Sequence, residues 1–216
     1  MTNAFDTIGW NDDFSGAVRL PFSALVIRAL RGEAKLKGVT PDARYFGGWA
    51  YNADDAKKMV SDGELRADPS WAVYEAEGEK GPYGEAASRV VNVAIIKGRM
   101  RWGNDDARQY STKFFPGARM HVQYLAGLFV RNQGATTFAG MAMMTARGHQ
   151  AGFLQTAIDE YATYIRTATA GTPNSKLPRP AWIMTIGTFG AEPVFKPVGS
   201  GAKSSTLTPV KAVLPK

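Results

Sequence analysis

Basic and aromatic side chains alternate closely between Ile95 and Tyr124, and this segment holds the residue types best suited to binding chemistry. Its basic residues are Lys97, Arg99, Arg101, Arg108, Lys113, Arg119 and His121, and its rings are Trp102, Tyr110, Phe114, Phe115 and Tyr124. Lysine and arginine neutralise phosphate groups, and flat rings stack on unpaired bases. The pattern predicts a surface for single-stranded nucleic acid. The alternative interpretation places the rings in the core and the cations on an ordinary solvated face.

The candidate binding set drawn from this segment divides by the part of a nucleotide that each side chain would contact. The residues assigned to phosphates are Lys97, Arg99, Arg101, Lys113 and Arg119. The rings assigned to base stacking are Trp102, Phe114, Phe115 and Tyr124, and His121 joins the set from the same polar row as Arg119. The rings at 44–51 and Trp182 stay undecided between core and surface.

The first of two predicted strands that position this set runs from Val90 to Trp102. Its apolar residues on one face are Val91, Val93 and Ile95, and the same parity continues as Lys97, Arg99 and Arg101. Since side chains two apart on a strand share a face, this strand would pass from core to basic surface. A bulge at Gly98 would re-aim the side chains at that change.

The second predicted strand, Ala118 to Val130, alternates in the same way. One side carries Met120, Val122, Tyr124, Ala126 and Leu128, and the other carries Arg119, His121 and Gln123. Because successive strand residues point to opposite faces, its first half supplies a second polar and basic row.

Composition favours a polyanionic partner and excludes several kinds of site. The 216 residues carry 26 Lys and Arg against 19 Asp and Glu, a net charge of +7, and the isoelectric point is about 9.6. The absence of cysteine excludes disulfides, thiolate metal sites and cysteine nucleophiles. Two histidines, His121 and His149, are too few for a histidine-based metal centre.

No motif predicts catalysis, so we expect a protein that is not an enzyme and needs no cofactor or metal. The carboxylates fall in adjacent pairs that point apart, and of these only Asp105 and Asp106 share a loop with the basic and aromatic segment and merit consideration as metal ligands. The sequence GSGAKSS at 199–205 is not a phosphate loop, because Ala202 stands where glycine is required.

The predicted organisation is a polar N-terminal arm at 1–18, one domain at 19–197 and a flexible basic tail at 198–216. Strands are predicted at 44–51, 71–76, 136–146 and 181–189, with a strand or a short helix at 20–30. A short helix follows Asn52, an amphipathic helix covers 149–169, and 77–88 and 103–117 are predicted loops. This is the pattern of a mainly β fold of α+β character, a barrel or a sandwich.

The segments VVNVAIIKGRMRW, KFFPGARMHVQYLAGLF and TIGTFGAEPVFKPVG resemble single-stranded DNA-binding proteins of phages and plasmids, which have an OB fold. The resemblance implies a five-stranded barrel with one helix, and loops that clasp the bound strand. The chain departs from many such proteins in ending VKAVLPK instead of an acidic tip.

We therefore expect sequence-independent binding of single-stranded DNA in replication or recombination. Two alternatives stay open: a viral structural or assembly protein that uses its aromatic surface and termini for subunit contacts, and a single-strand annealing recombinase. We expect a homo-oligomer as one possible state and no membrane partner. The N-terminus has no secretory signal pattern, so the expected location is the cytoplasm of a bacterium or of a virus-infected cell.

Overall fold

The computed structural model describes residues 25–31, 36–37, 47–61, 72–78, 81–88, 90–132, 134–177, 182–187, 196–198, 205–207 and 209–214. The predicted N-terminal arm at 1–18 lies outside these residues. The strands are β1 (Leu25–Arg31), β2 (Leu36–Lys37), β3 (Gly47–Asn52), β4 (Ala72–Gly78), β5 (Gly81–Ser88), β6 (Val90–Asn104), β7 (Gln109–Ser111), β8 (Arg119–Asn132), β9 (Ala135–Arg147), β10 (Met184–Gly187), β11 (Lys196–Val198), β12 (Ser205–Leu207) and β13 (Lys211–Val213). The helices are α1 (Ala53–Ser61), α2 (His149–Ala168) and a short 3-10 helix (Pro173–Lys176).

Within the described ranges, eleven strands form one sheet in the order β13-β10-β6-β8-β9-β1-β3-β5-β4-β2, and β7 pairs with β6 beside this path. The sheet curls strongly into an open half-barrel. Parallel pairing joins β1 to β9, and the other pairings of this sheet are antiparallel. The prediction of a mainly β, OB-like fold with one amphipathic helix is confirmed, although the sheet has more strands than the five that the resemblance implied.

The core lies between α2 and one face of the sheet, which we call the inner face. Strands β6, β8 and β9 contribute the buried side chains Val91, Val93, Ile95, Val122, Tyr124, Ala126, Leu128, Ala142, Met144 and Ala146. The helix covers them with Leu154, Ile158 and Tyr161. These three recur at the spacing of one helix face, which is why the sequence predicted an amphipathic helix here.

Gly148 connects β9 to α2 and lets the chain fold back onto the inner face. Its φ of +57° falls in the left-handed region that favours glycine. Its backbone N–H donates to the Met120 carbonyl at 2.7 Å, which fastens the start of the helix to β8.

A bulge in β6 decides which face its basic residues take. Ile95 pairs with Ala126 on β8, but the next pair is Lys97 with Leu125, so Ile96 is an extra residue. One extra residue inverts the alternation of everything after it. The prediction that the basic residues keep the parity of Ile95 on the same face is therefore wrong, as is the placement of the bulge at Gly98. The cations lie on the opposite face, which we call the outer face.

Strands occur in three segments that the sequence predicted to be irregular. Residues of the predicted loop at 77–88 form β5, which pairs with β4 through Gly78 and Gly81, because a hairpin accommodates the glycines that suggested a loop. The predicted loop at 103–117 contains β7, which pairs with β6. Part of the predicted flexible tail forms β13, which pairs with β10, and Val210 beside it is 2% exposed in the core. The prediction of a flexible tail is wrong there, because Val210 and the partly buried Ala212 share one side of the segment and pack against the core.

Candidate nucleic-acid interface

Two polar rows cross the outer face of the sheet, and we call them the basic rows. The first row consists of Arg101, His121 and Arg147, which are register partners on β6, β8 and β9. The second row consists of Arg99, Gln123, Thr145 and Arg28, on β6, β8, β9 and β1. Neighbouring strands lie about 4.8 Å apart, and the rows are two residues or about 7 Å apart along each strand. The two rows form a continuous cationic area on a rigid sheet.

The second row is held in place by hydrogen bonds. The Arg99 Nε donates to Gln123 Oε1 at 2.6 Å, across the β6–β8 pair. The Thr145 hydroxyl donates to the Ile27 carbonyl at 3.3 Å. Arg99 is half-buried and Arg28 is exposed, so the row presents charge to solvent from fixed positions.

Asp105 joins the residues of the first row to the turn that follows β6. Its Oδ1 accepts a hydrogen bond from the Tyr110 hydroxyl at 2.8 Å, and its Oδ2 accepts one from Arg147 Nη1 at 2.8 Å. The His121 Nε2 lies 4.0 Å from the same Oδ2. We call Arg101, Asp105, Tyr110, His121 and Arg147 the Asp105 cluster.

Tyr110 occupies space that Gly103 leaves open. The two residues pair between β7 and β6, and a Cβ on Gly103 would lie 2.6 Å from Tyr110 Cδ1. The Arg101 guanidinium stacks over the ring with its Cζ 4.2 Å from the centroid. His121 meets the ring edge-on, with centroids 5.9 Å apart. The ring is thus fixed between two basic residues while 44% of Tyr110 is exposed.

These contacts shift the pKa values of three residues of the Asp105 cluster. The Tyr110 hydrogen bond, together with the charges of Arg147, His121 and Arg101, lowers the pKa of Asp105. The same hydrogen bond raises the pKa of Tyr110. Burial lowers the pKa of His121 despite the nearby Asp105 carboxylate, and the neighbouring arginines lower it further. At neutral pH the cluster therefore holds a carboxylate, two guanidiniums and a neutral imidazole.

Two nitrogens beside Asp105 have no hydrogen-bond partner within the described part of the chain. They are Nε of Arg101 and Nε2 of His121, both buried. His121 is only 6% exposed. Buried polar atoms normally form hydrogen bonds. Each of these two nitrogens can therefore bond to a further group beside the Asp105 carboxylate.

A second aromatic pair lies at the same end of β6. Trp102 pairs with Met120 and so belongs to the inner side of the strand. Phe114 meets it edge-on with centroids 5.0 Å apart and is 64% exposed. Lys113 is exposed beside Phe114, its N–H donating to Ser111 Oγ at 2.9 Å, and Phe115 is half-buried.

Comparison found no family model, no curated protein and no solved structure with significant similarity to this chain.

The structure divides the predicted binding set. It brings Lys97, Arg99, Arg101, Arg119 and His121 together on the outer face. It places Trp102 on the other side of β6, and Lys113, Phe114 and Phe115 on the segment between β7 and β8. Tyr124 is 0% exposed in the core, so its assignment to base stacking is wrong. Its parity with Val122 was the signal for burial.

Sequence reasoning missed Arg147, Arg28 and the role of Asp105. Arg147 lies two residues beyond Thr145 on the outer face of β9, so continuing that strand by one residue would have found it. Arg28 depends on the parallel pairing of β1 with β9, which no local pattern reveals. Tyr110 was noted among the rings but left out of the set.

Asp105 and Asp106 were the sequence candidates for metal ligands. Asp105 is engaged by Tyr110 and Arg147, and the described residues include no group of three side chains suited to holding a metal ion. In the same part of the chain no helix is long and apolar enough to cross a bilayer.

Proposed function

We propose that this protein binds single-stranded DNA without sequence preference, in replication or recombination, on the outer face of β6, β8 and β9. The observation that carries the proposal is the pair of basic rows. The rows place four arginines on one face of neighbouring strands, at spacings that allow contact with several phosphates of one nucleic-acid strand, and each such contact releases counterions.

Exposed rings near the end of β6 supply the second part of the proposal. Tyr110 lies against Arg101 of the first row. Phe114 is 64% exposed and lies against Trp102, on the inner side of the same end of β6. A base that stacks on such a ring contributes about 1–3 kcal/mol and does so for every base type. Ring and phosphate contacts together favour an unpaired strand over a duplex, whose bases are already stacked.

The experiment is a titration of a labelled thirty-nucleotide oligo-dT by fluorescence anisotropy at several salt concentrations. Arg119→Ala removes an exposed cation next to the first row. We expect weaker binding and a salt slope reduced by about one, as for the loss of one phosphate contact. The matched control is Lys176→Ala, which removes an exposed cation from the 3-10 helix that follows α2, the helix covering the opposite face.

Three outcomes would count against the proposal. They are no binding at low salt, binding without salt dependence, and equal losses in the Arg119 and Lys176 variants. The Phe114→Ala variant should weaken binding with little change in the salt slope, because stacking releases no condensed ions.

We also propose a second candidate, self-assembly of this chain, either as a structural protein or as a strand-annealing protein. β13 ends the sheet among the described strands, and Val213 and Leu214 there are 41% and 43% exposed. An open edge with apolar side chains favours pairing with another chain. Light scattering after size exclusion should show a larger species as concentration rises, and Leu214→Lys should shift it toward monomer. A strand-annealing assay then separates an annealing protein from a structural one.

A further inference from the structure

The Asp105 carboxylate accepts two hydrogen bonds and leaves two neighbouring nitrogens without one. Its Oδ1 accepts from Tyr110 and its Oδ2 from Arg147. His121 Nε2, at 4.0 Å from Oδ2, is beyond hydrogen-bond distance. Arg101 Nε has no partner among the described residues. One planar carboxylate therefore leaves part of a cationic site unfilled.

A phosphate group is better suited than a carboxylate to bond with these two unbonded nitrogens. Its tetrahedral oxygens point in several directions, and charge-assisted bonds from arginine to phosphate are among the strong ones. Arg101, His121 and Arg147 are register partners in one row, so their side chains leave the same face of three adjacent strands side by side. Two of the three side chains are built into the sheet surface: His121 is buried and Arg101 is half-buried.

Asp105 itself lies in a surface turn outside the strands of the sheet. It begins the turn from Asp105 to Arg108, which is closed by the Arg108 N–H donating to the Asp105 carbonyl at 3.2 Å. Arg108 has a φ of +50°, a left-handed conformation that strains a residue with a side chain. The Asp105 side chain is 40% exposed, so water already reaches it.

We propose that Arg101, His121 and Arg147 form a binding site for one phosphate group, and that Asp105 occupies this site until a phosphate of the nucleic acid displaces it. The inference rests on the proposed function for the source of the phosphate, while the site itself is defined by the cluster. Asp105 acts as an internal competitor that lowers affinity and keeps Arg147 ordered between binding events.

The test compares Asp105→Asn with Asp106→Asn. Both changes remove one negative charge from the same turn, and Asp106 is exposed and makes no described hydrogen bond, so it is the matched control. We expect Asp105→Asn to bind oligo-dT about tenfold more tightly than the native chain, as for the removal of one charge-assisted competitor. The Asp106 variant should stay within about twofold. Adding Arg147→Ala to Asp105→Asn should abolish the gain.

A second measurement uses inorganic phosphate and does not depend on nucleic acid. The chain has two histidines, so the ring signals of His121 and His149 can be followed by NMR. Phosphate should shift the His121 signals, at lower concentration in Asp105→Asn than in the native chain, and leave the exposed His149 unchanged.

The two measurements separate the two proposals. If oligo-dT does not bind but phosphate shifts His121 as expected, the proposed function fails and the phosphate site stands. If the Asp105 and Asp106 variants bind oligo-dT equally, or if phosphate leaves His121 unmoved in Asp105→Asn, the phosphate site is overturned whatever the oligonucleotide does.

Discussion

The two halves of β6 share one alternating sequence pattern, but its odd-numbered residues face the core before the bulge and lie on the outer face after it. Before the bulge, Ile95 is 1% exposed and packs in the core. After the bulge, Arg99 and Arg101 lie on the outer face beside Gln123 and His121. The change depends on Ile96, which is 45% exposed and pairs with no residue of β8. One inserted residue places the basic side chains of β6 on the outer face, opposite the core.

The energetic demands on the two halves differ accordingly. The first half is stabilised by burial of aliphatic groups, and any loss of volume there is felt as lost stability. The second half keeps its cations on the outer face, so replacing one of them leaves no cavity in the core. Changes in the second half should therefore alter binding more than folding. The bulge separates the two halves, so a change there tests the difference between them.

Deletion of Ile96 tests whether the bulge reconciles the two halves of β6. Lys97 would then follow Ile95 directly, and regular alternation would keep Lys97, Arg99 and Arg101 on the outer face without a bulge. The variant should therefore fold and bind oligo-dT, with a loss of up to about 3 kcal/mol in chemical denaturation from rearrangement of the strand at the deletion.

The matched control for that deletion is Ile96→Ser, which keeps the bulge and changes an exposed side chain. It should stay within about 0.5 kcal/mol of the native chain. A deletion variant that fails to fold would contradict the assignment of Ile96 as the extra residue that sets the face of the basic residues.

Gly103→Ala should have an intermediate effect confined to the second half of β6. The new Cβ would lie 2.6 Å from Tyr110 Cδ1, so the ring must leave its place between Arg101 and His121. We expect a loss of about 1–3 kcal/mol, as for other overpacked sites, together with weaker oligo-dT binding.

Gly117→Ala provides a comparison for Gly103→Ala, because its φ of +81° gives strain without contact to Tyr110. It should lower stability and leave binding unchanged. Unchanged binding in Gly103→Ala, with stability lowered as expected, would separate Tyr110 from the binding surface.

The pH dependence of stability should be the smallest effect, and it arises from His121. Burial lowers its pKa in the folded state below the ordinary 6.5, so the unfolded chain binds a proton more readily. The stability contributed by neutral His121 is fully present above about pH 6.5 and is lost as pH falls through the lowered pKa. Denaturation between pH 7.5 and 5 should show this decline, and His121→Gln should flatten it while His149→Gln should not.

Asp105 adds a separate acid-side window. Its pKa is lowered from 3.8 by the Tyr110 hydrogen bond and by neighbouring cations. Its contribution is therefore present above about pH 4 and declines only as pH falls through the lowered value. Asp105 does not change its protonation in the near-neutral range in which His121 begins to lose stability, so the effect of His121 can be measured separately. A flat native profile from pH 7.5 to 5 would contradict the burial of His121.

Local alternation predicted the strands of this surface and the helix on the opposite side of the sheet, but it did not predict the face of the β6 residues that follow the bulge. The amphipathic pattern of Leu154, Ile158 and Tyr161 identified α2, and the split of Tyr124 from His121 identified the two faces of β8. The bulge at Ile96 is set by pairing with β8, so nothing in the Val90–Trp102 pattern alone places it.

The cluster around Asp105 required tertiary information of the same kind. Arg147 reaches Asp105 across 42 residues of sequence. Tyr110 meets Arg101 only because Gly103 leaves room for its ring. A basic and aromatic composition was visible from the sequence, whereas the internal carboxylate that joins its members was not.

Photo-crosslinking is the most direct test of whether nucleic acid binds the outer face of the sheet. An oligonucleotide carrying bromodeoxyuridine would be irradiated with the native chain, and the linked residues identified by mass spectrometry. If the nucleic acid lies on the outer face, a crosslink should form at Tyr110 and should be lost when Arg101 and Arg119 are both replaced by alanine. Crosslinks concentrated on α2 or the 3-10 helix, on the other side of the sheet, would contradict binding on the outer face.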